Sequence, residues 1–214
     1  KIKINLNSTK EIIDFINKKK ISVLINLIAI TDVEYCEKNK AEAYDVNVKL
    51  VHNIAKACKN TKTTLIHIST DQLFNGKKKI FYENSKISPL NNYGLTKYKA
   101  EKIVKKLCKK HIILRTNFFC WGLKNNKNFL SEIFNSISNK KNFYGWSNVF
   151  FTPIYSGILV DIAHNLESRR KYGLFNVSSN TSISKYRFAS IITKNFFLNK
   201  RYLKKSLLDV KNYT

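Results

Sequence analysis

Up to residue 115 the apolar positions of the chain alternate between two rhythms, and each rhythm predicts an element. Ile2, Ile4 and Leu6 alternate with polar residues as in a short strand. Ser8 and Glu11 then have the spacing of a capping box, opening a helix with Ile12, Ile13, Phe15 and Ile16 on its buried side. Val23–Ile28 is apolar except at Asn26, a run of strand length suited to a sheet covered on both faces. From Ala41 to Lys59, the residues Tyr44, Val48, Val51, Ile54, Ala55 and Cys58 recur at helical spacing, and Thr64–Ile68 is a second buried strand. Asp71 to Leu90 is a long loop carrying the turn pair Asn75 and Gly76 and closing on Ser88 and Pro89. A helix is predicted from Tyr93 to Lys109 with Ala100, Ile103, Val104 and Leu107 on one side, followed by a third buried strand, His111–Arg115. Strands alternating with helices predict an α/β fold with a parallel sheet and right-handed crossovers.

After Gly122 the texture changes. Asn125–Asn128 reads as a polar linker and Phe129–Ile137 as a short helix. Val149–Thr152 stops at Pro153, ahead of a helix through Ile158, Leu159, Ile162 and Leu166. Leu174–Val177 is a strand and Ser184–Phe197 a further helix. The expected organisation is a main domain over residues 1–122 and a smaller α+β lobe over 123–214, with 153–180 near the sheet edge. No internal repeat is present.

In a parallel sheet, ligands bind beyond the carboxyl ends of the strands. Three tails open there: Ala29 to Thr31, Ser69 to Asp71, and Thr116 with Asn117. Into the same region the next helix brings Tyr93 and Lys97, which at i and i+4 share one helical face. A hydroxyl, a phenol and an amine converging on one point are the parts of a proton-transfer site.

Composition narrows what such a site can serve. The formal charge is +25, from 39 Lys and Arg against 14 Asp and Glu. The lysines are spread along the whole chain, with no arginine-rich arm, so the charge reads as solvated faces rather than a specific nucleic-acid surface. Four scattered cysteines, without a C-x-x-C pair or a histidine at ligand spacing, read as reduced thiols and not as a metal site. No apolar run reaches transmembrane length and no signal-peptide pattern opens the chain, so a cytoplasmic protein is expected. Met is absent, position 1 included, which points to a piece of a longer chain.

Several segments together resemble one family. Residues 23–33 (VLINLIAITDV) are similar to the pattern V-I-N-A-A-A-x-T-x-V of the extended short-chain dehydrogenase/reductases, closest to the dTDP-4-dehydrorhamnose reductase group. The match continues in order through 43–47 (AYDVN), 67–76 (HISTDQLFNG), 88–97 (SPLNNYGLTK), 114–116 (LRT), 152–153 (TP) and 173–177 (GLFNV). The resemblance implies a Rossmann-like parallel sheet with a small substrate-binding lobe. It also implies hydride transfer from NADH or NADPH to the keto group of a nucleotide-linked deoxysugar.

By the same resemblance Thr70, Tyr93 and Lys97 are the catalytic residues. Tyr93 protonates the carbonyl oxygen, Thr70 hydrogen-bonds that oxygen, and Lys97 lowers the phenol's pKa from about 10 and holds the nicotinamide ribose. Leu27, Ile28 and Ala29, with Tyr93 and Lys97, fall where the cofactor lies. Thr31, Val33, Thr70, Gln72, Asn117 and Phe118 fall where the sugar lies. Asn47 is expected to bond between backbone segments and His67 to be a satisfied core residue. A homodimer is compatible with this reading.

The chain also departs from the family. No G-x-x-G-x-x-G phosphate loop occurs, and only six glycines are present. Ile2–Leu6 aligns with the family's third strand, so the natural protein is expected to extend further at its N-terminus. The 214 residues alone are expected to bind cofactor weakly. Without the family's first two strands, Val23–Ile28 is expected to carry a bare hydrophobic edge. Gln72 stands where the family has tyrosine and Phe118 where it has tryptophan, which leaves the sugar open. A nucleotide-sugar epimerase or dehydratase of the same fold stays as an alternative. So does a non-catalytic subunit resembling the regulatory subunit of methionine adenosyltransferase.

Overall fold

The computed structural model describes residues 3–121 and 128–209. In chain order the helices are α1 (Thr9–Lys19), α2 (Val33–Lys38), α3 (Lys40–Tyr44), α4 (Leu50–Thr61), α5 (Asn92–Leu107), α6 (Phe129–Ser138), α7 (Ser156–Ser168) and α8 (Lys185–Asn195). The strands are β1 (Val23–Asn26), β2 (Thr64–Thr70), β3 (His111–Thr116), β4 (Phe118–Phe119), β5 (Phe143–Trp146), β6 (Phe150–Phe151), β7 (Ile154–Tyr155), β8 (Gly173–Val177), β9 (Ile183–Ser184) and β10 (Leu203–Ser206). Packing groups Lys1–Thr116 with Asp161–Asn176 as one unit and Asn117–Val160 with Val177–Thr214 as another. The boundary expected at residues 122 and 123, and the linker expected from Asn125, fall outside the described residues except for Asn128.

The first unit is organised by a sheet of order β1-β2-β3-β8, in which β1, β2 and β3 run parallel. Asn26 pairs with His67, His67 with Ile113, and Ser69 with Arg115. Because side chains alternate along a strand, Leu24, Asn26, Leu65, His67, Ser69, Ile113 and Arg115 share one face. Over its apolar part lie Val51, Ile54, Ala55 and Cys58 of α4 and Ala100 and Val104 of α5, with Ile12 and Ile16 of α1 behind them. α1 starts where Ser8 Oγ accepts from the Glu11 N–H at 3.2 Å. The Glu11 carboxylate turns to the Asn5 N–H instead, at 3.4 Å, so half of the capping box closes.

Three expectations change. Lys3 to Leu6 form no strand, because a strand is held by a neighbour and no described strand pairs with them. Ile4 and Leu6 pack against the α1–α4 core instead, and Asn53 Nδ2 donates to the Leu6 carbonyl at 3.1 Å. β1 stops at Asn26 and is not covered on both faces: among the described residues its one neighbour is β2, and Ile25 is 55% exposed, the bare apolar edge. The helix expected from Ala41 to Lys59 contains a π-helical stretch, Asp45–Lys49, that carries Asn47.

The second unit holds short strand pairs and an aromatic core. β5 and β10 pair in parallel from Phe143 against Leu203, β4 and β7 in parallel, and β6 and β9 antiparallel. Leu130, Ile133 and Ile137 of α6 meet Phe188, Ala189 and Ile192 of α8. Phe129 lies against Phe143, Phe151 and Phe188 at 5.7–6.0 Å between ring centres. Among the described residues, no helix is long and apolar enough to cross a membrane and no His, Cys, Asp and Glu cluster could hold a metal. All four cysteines are free thiols.

Candidate active site

The carboxyl end of β2 meets the first turn of α5. Asn91 caps that helix, its Oδ1 accepting from the Gly94 N–H at 2.8 Å, while its Nδ2 donates to Gln72 Oε1 at 3.0 Å. A side chain at position 94 would overlap the Gln72 carbonyl oxygen, so glycine is what lets the helix start against the strand end. This seats Tyr93 and Lys97, 8% and 3% exposed, on the buried side of α5.

Thr70 Oγ1 accepts from the Gln72 N–H at 3.2 Å and is hydrogen-bonded to the Tyr93 phenol. Burial pushes the Tyr93 pKa up to about 12; the Thr70 hydrogen bond opposes this, and the Asp71 carboxylate and Cys36 add to it. The phenol therefore stays protonated at neutral pH. Lys97 does not lower it, contrary to the expectation. The ammonium is turned to the strand, Nζ donating to the Ile68 carbonyl at 2.6 Å. Burial brings Lys97 itself down to about 8, with Glu101 opposing.

The loop after β1 is fastened at two points. Asn26 Oδ1 accepts from the Ile28 N–H at 3.1 Å, and its Nδ2 lies 3.1 Å from His67 Nδ1. Asn47 accepts from the Ile30 N–H at 2.8 Å and donates to the Ile30 carbonyl at 3.0 Å and to Thr96 Oγ1 at 3.1 Å. Asn47 thus bridges this loop to α5, the backbone role expected of it. Between the fastenings Leu27 and Ile28 are exposed and Ala29 is half-buried; Thr31 is exposed. Val33 packs with Ile30 against Cys36, Ala43 and Tyr93, which makes it a wall of the tyrosine's pocket.

His67 departs in part from the satisfied residue expected. Its Nδ1 has Asn26, but its buried Nε2 has no partner among the described residues. Burial, then the neighbouring Lys97, hold its pKa well below the usual imidazole range, so it is neutral. The structure brings Thr70, Gln72, Tyr93 and Lys97 together, with the residue 27–33 loop tied to the same helix. Asn117 and Phe118 belong to the second unit, where the Asn117 carbonyl accepts from the Ile154 N–H at 3.1 Å and Phe118 is 43% exposed in β4.

Sequence reasoning missed a buried ionic group. Glu101 takes both Arg115 Nε and Nη2, at 2.9 and 2.8 Å, and the Ser69 hydroxyl at 2.6 Å. The signal was there: a carboxylate on the apolar stripe of α5, eight residues beyond Tyr93. It also commits the Ser69 hydroxyl to Glu101, whereas the Thr70 hydroxyl is bonded beside Tyr93.

The model of the RmlD substrate binding domain matches residues 1–209. The chain belongs to that family. A dTDP-4-dehydrorhamnose reductase of Aggregatibacter actinomycetemcomitans is 30% identical over 196 residues, which is 88% of this chain and 66% of that protein. The chain therefore spans just under two thirds of that curated relative. The crystal structure of a dTDP-4-dehydrorhamnose reductase from Clostridium acetobutylicum superposes with a TM-score of 0.85 at 26% identity, covering 98% of this chain and 73% of that one. The Bacillus anthracis dTDP-4-dehydrorhamnose reductase, solved in complex with NADP, superposes with a TM-score of 0.88 at 25% identity, covering 96% of this chain and 72% of that one. These likenesses give this RmlD-family chain its Rossmann-like α/β fold.

Proposed function

We propose that the protein reduces the keto group of a 4-keto-deoxysugar nucleotide with NADH or NADPH. The observation that carries the reading is the Thr70–Tyr93 hydrogen bond at the end of β2, with Lys97 one helical turn further along the same buried face. The relatives named as dTDP-4-dehydrorhamnose reductases support it.

The residues fit one half of the cofactor. Leu27 and Ile28 are large apolar side chains left exposed at the carboxyl end of β1, on a backbone that Asn26 and Asn47 hold rigid. With Ala29 they would form the ledge for the nicotinamide half, and Lys97 the partner of its ribose. The sequence offers no Gly-rich loop for the pyrophosphate. When bound, a reduced nicotinamide supplies the hydride. The protein's own part is the proton. Tyr93, kept as a phenol by its burial, donates from Oη to the ketone oxygen as negative charge develops there. Thr70 Oγ1, already within hydrogen-bond reach of Tyr93, steadies that oxygen. In this reading Thr31, Val33 and Gln72 line the sugar. Both substrates are cytoplasmic metabolites, and we place the protein there.

The test is oxidation of NADH or NADPH by the full chain with dTDP-4-dehydrorhamnose. Tyr93→Phe is expected to lower kcat by ~10²–10⁴-fold with an unchanged melting temperature. Turnover that survives this substitution would overturn the reading and favour a non-catalytic binding subunit. Inversion of a sugar centre without net consumption of NAD(P)H would favour an epimerase.

A further inference from the structure

The face of α5 that carries Tyr93 and Lys97 continues one turn further to Glu101, and all three are buried. Each meets a successive residue of β2: Lys97 Nζ donates to the Ile68 carbonyl, Glu101 accepts from the Ser69 hydroxyl, and Tyr93 is hydrogen-bonded to Thr70. Three turns of one helix thus pin three consecutive residues of one strand end. Glu101 is itself fixed by a two-pronged bond from Arg115 on β3. Arg115 also donates through Nη1 to the Glu83 carbonyl at 3.1 Å, and its guanidinium lies 5.4 Å from the centre of the Phe74 ring. Glu83 Oε1 in turn accepts from the Asn176 N–H of β8 at 2.8 Å. The chain of bonds runs from the strand that carries Thr70, through α5 and β3, to the long loop leading into Tyr93.

We propose that Glu101 is a positioning residue of this site, fixing the Ser69–Thr70 end of β2 against α5 and serving as the counter-charge of Lys97. The proposal rests on the reductase reading for what the site does, though not for what Glu101 does to Lys97. Two alternatives to the counter-charge role are weak. A purely structural ion pair would not require the Ser69 bond or a place on the Tyr93–Lys97 stripe. Among the described residues, no other carboxylate acts on the Lys97 proton. Of the other titratable groups around Lys97 and Tyr93, His67 on β2 is neutral, Tyr93 on α5 is protonated, and Asp71 acts on Tyr93. Arg115 on β3 is committed to Glu101. Glu101 is the carboxylate that opposes the loss of the Lys97 proton on burial.

The experiment follows the Lys97 side chain directly. The full chain is labelled with ¹³C-lysine, the Lys97 Cε resonance is assigned by its loss in Lys97→Met, and its shift is followed against pH without cofactor or substrate. Glu101→Gln keeps the shape and removes the charge, and is expected to move the Lys97 midpoint down by about one pH unit. Should that variant fail to fold with Arg115 left unpaired, the neutral pair Glu101→Gln with Arg115→Gln is used, with a smaller downward shift expected because the repelling guanidinium leaves together with the carboxylate. An unchanged midpoint in the folded variant overturns the proposal. In parallel, the alkaline limb of kcat/KM for dTDP-4-dehydrorhamnose is expected to move down with the midpoint, and Glu101→Asp to restore most of it. A midpoint that moves in a protein with no reductase activity would refute the reductase reading and leave the role of Glu101 standing.

Discussion

The two ends of the α5–sheet seam are equally buried and chemically opposite. Toward residue 107, Val104 packs with Leu65, Ile113 and Cys108, with no charge between them. Toward residue 92, the same helix face presents Tyr93, Lys97 and Glu101 to His67, Ser69, Thr70 and Arg115. Val104 is 0% exposed and Glu101 1%, so depth does not explain the change. Apolar contacts at the first end stabilise through area removed from water and ask little of geometry. At the second end every group must find a partner, and a buried ion pair is often no more stabilising than the apolar residues that could replace it. The polar end is therefore not accounted for by stability. It lies at the carboxyl ends of parallel strands, where ligands bind in such sheets, and its pKa values are displaced by burial.

The sharpest way to break this contrast is to strip one partner from the polar end. Arg115→Met leaves Glu101 buried without its fork of donors, and is expected to cost about 3–5 kcal/mol in urea unfolding. Adding Glu101→Leu to it removes the stranded charge and should recover much of that loss. If the double variant is as unstable as the single one, the polar end is holding the fold together in its own right, and the two ends differ less than their chemistry suggests.

Lys97 sharpens the same contrast through pH. Its folded-state pKa, about 8, lies below the value of about 10.4 for a free lysine. Above the unfolded value both states are neutral. As pH falls toward 8 the unfolded chain takes up the proton first, so stability drops, and below 8 the full cost of burying an ammonium is present. Lys97→Met deletes that cost and is expected to be the more stable protein at pH 7 by about 1–3 kcal/mol. Its advantage should shrink steadily between pH 8 and pH 10.5. Denaturation of both proteins across that range checks the slope; a constant difference would show that burial does not strain this lysine.

The apolar end was far more legible in the sequence than the polar one. Helical spacing and unbroken strand runs located α4, α5, β2 and β3, because one-dimensional periodicity reflects a buried face directly. Tyr93 and Lys97 were legible as a pair from their spacing along one helix, and the family resemblance singled out Thr70 on the strand tail. The Glu101–Arg115 pair was not, since it depends on which strand lies beside which and in what register. Lys97 was assigned to the phenol for the same reason: nothing along the chain indicates that the Ile68 carbonyl comes within 2.6 Å. Elsewhere, α2 escaped notice because six residues with Cys36 alone buried carry too little pattern. β10 was hidden because Lys204 and Lys205 look like a solvated run, although the strand pairs with β5 through Leu203. Ile2 to Leu6 showed the reverse error, an alternation with no neighbouring strand to use it.

The smallest effect should come from the apolar end, and its smallness is the point. Ile113 lies next to His67 in register and packs beneath α5, yet touches none of the titrating groups by hydrogen bond. Ile113→Val removes one methylene from a closed core and is expected to cost about 0.5–1.5 kcal/mol. The neighbouring strand end is held by the Ile68, Ser69 and Thr70 bonds to α5, so a shallow cavity at residue 113 has no bond through which to shift Tyr93 or Lys97. The expected result is a lowered melting temperature with kcat, KM and the alkaline limb of the rate profile unchanged. A kinetic change at this position would mean that packing in the core sets the geometry of the site, and that the two ends of the seam act as one.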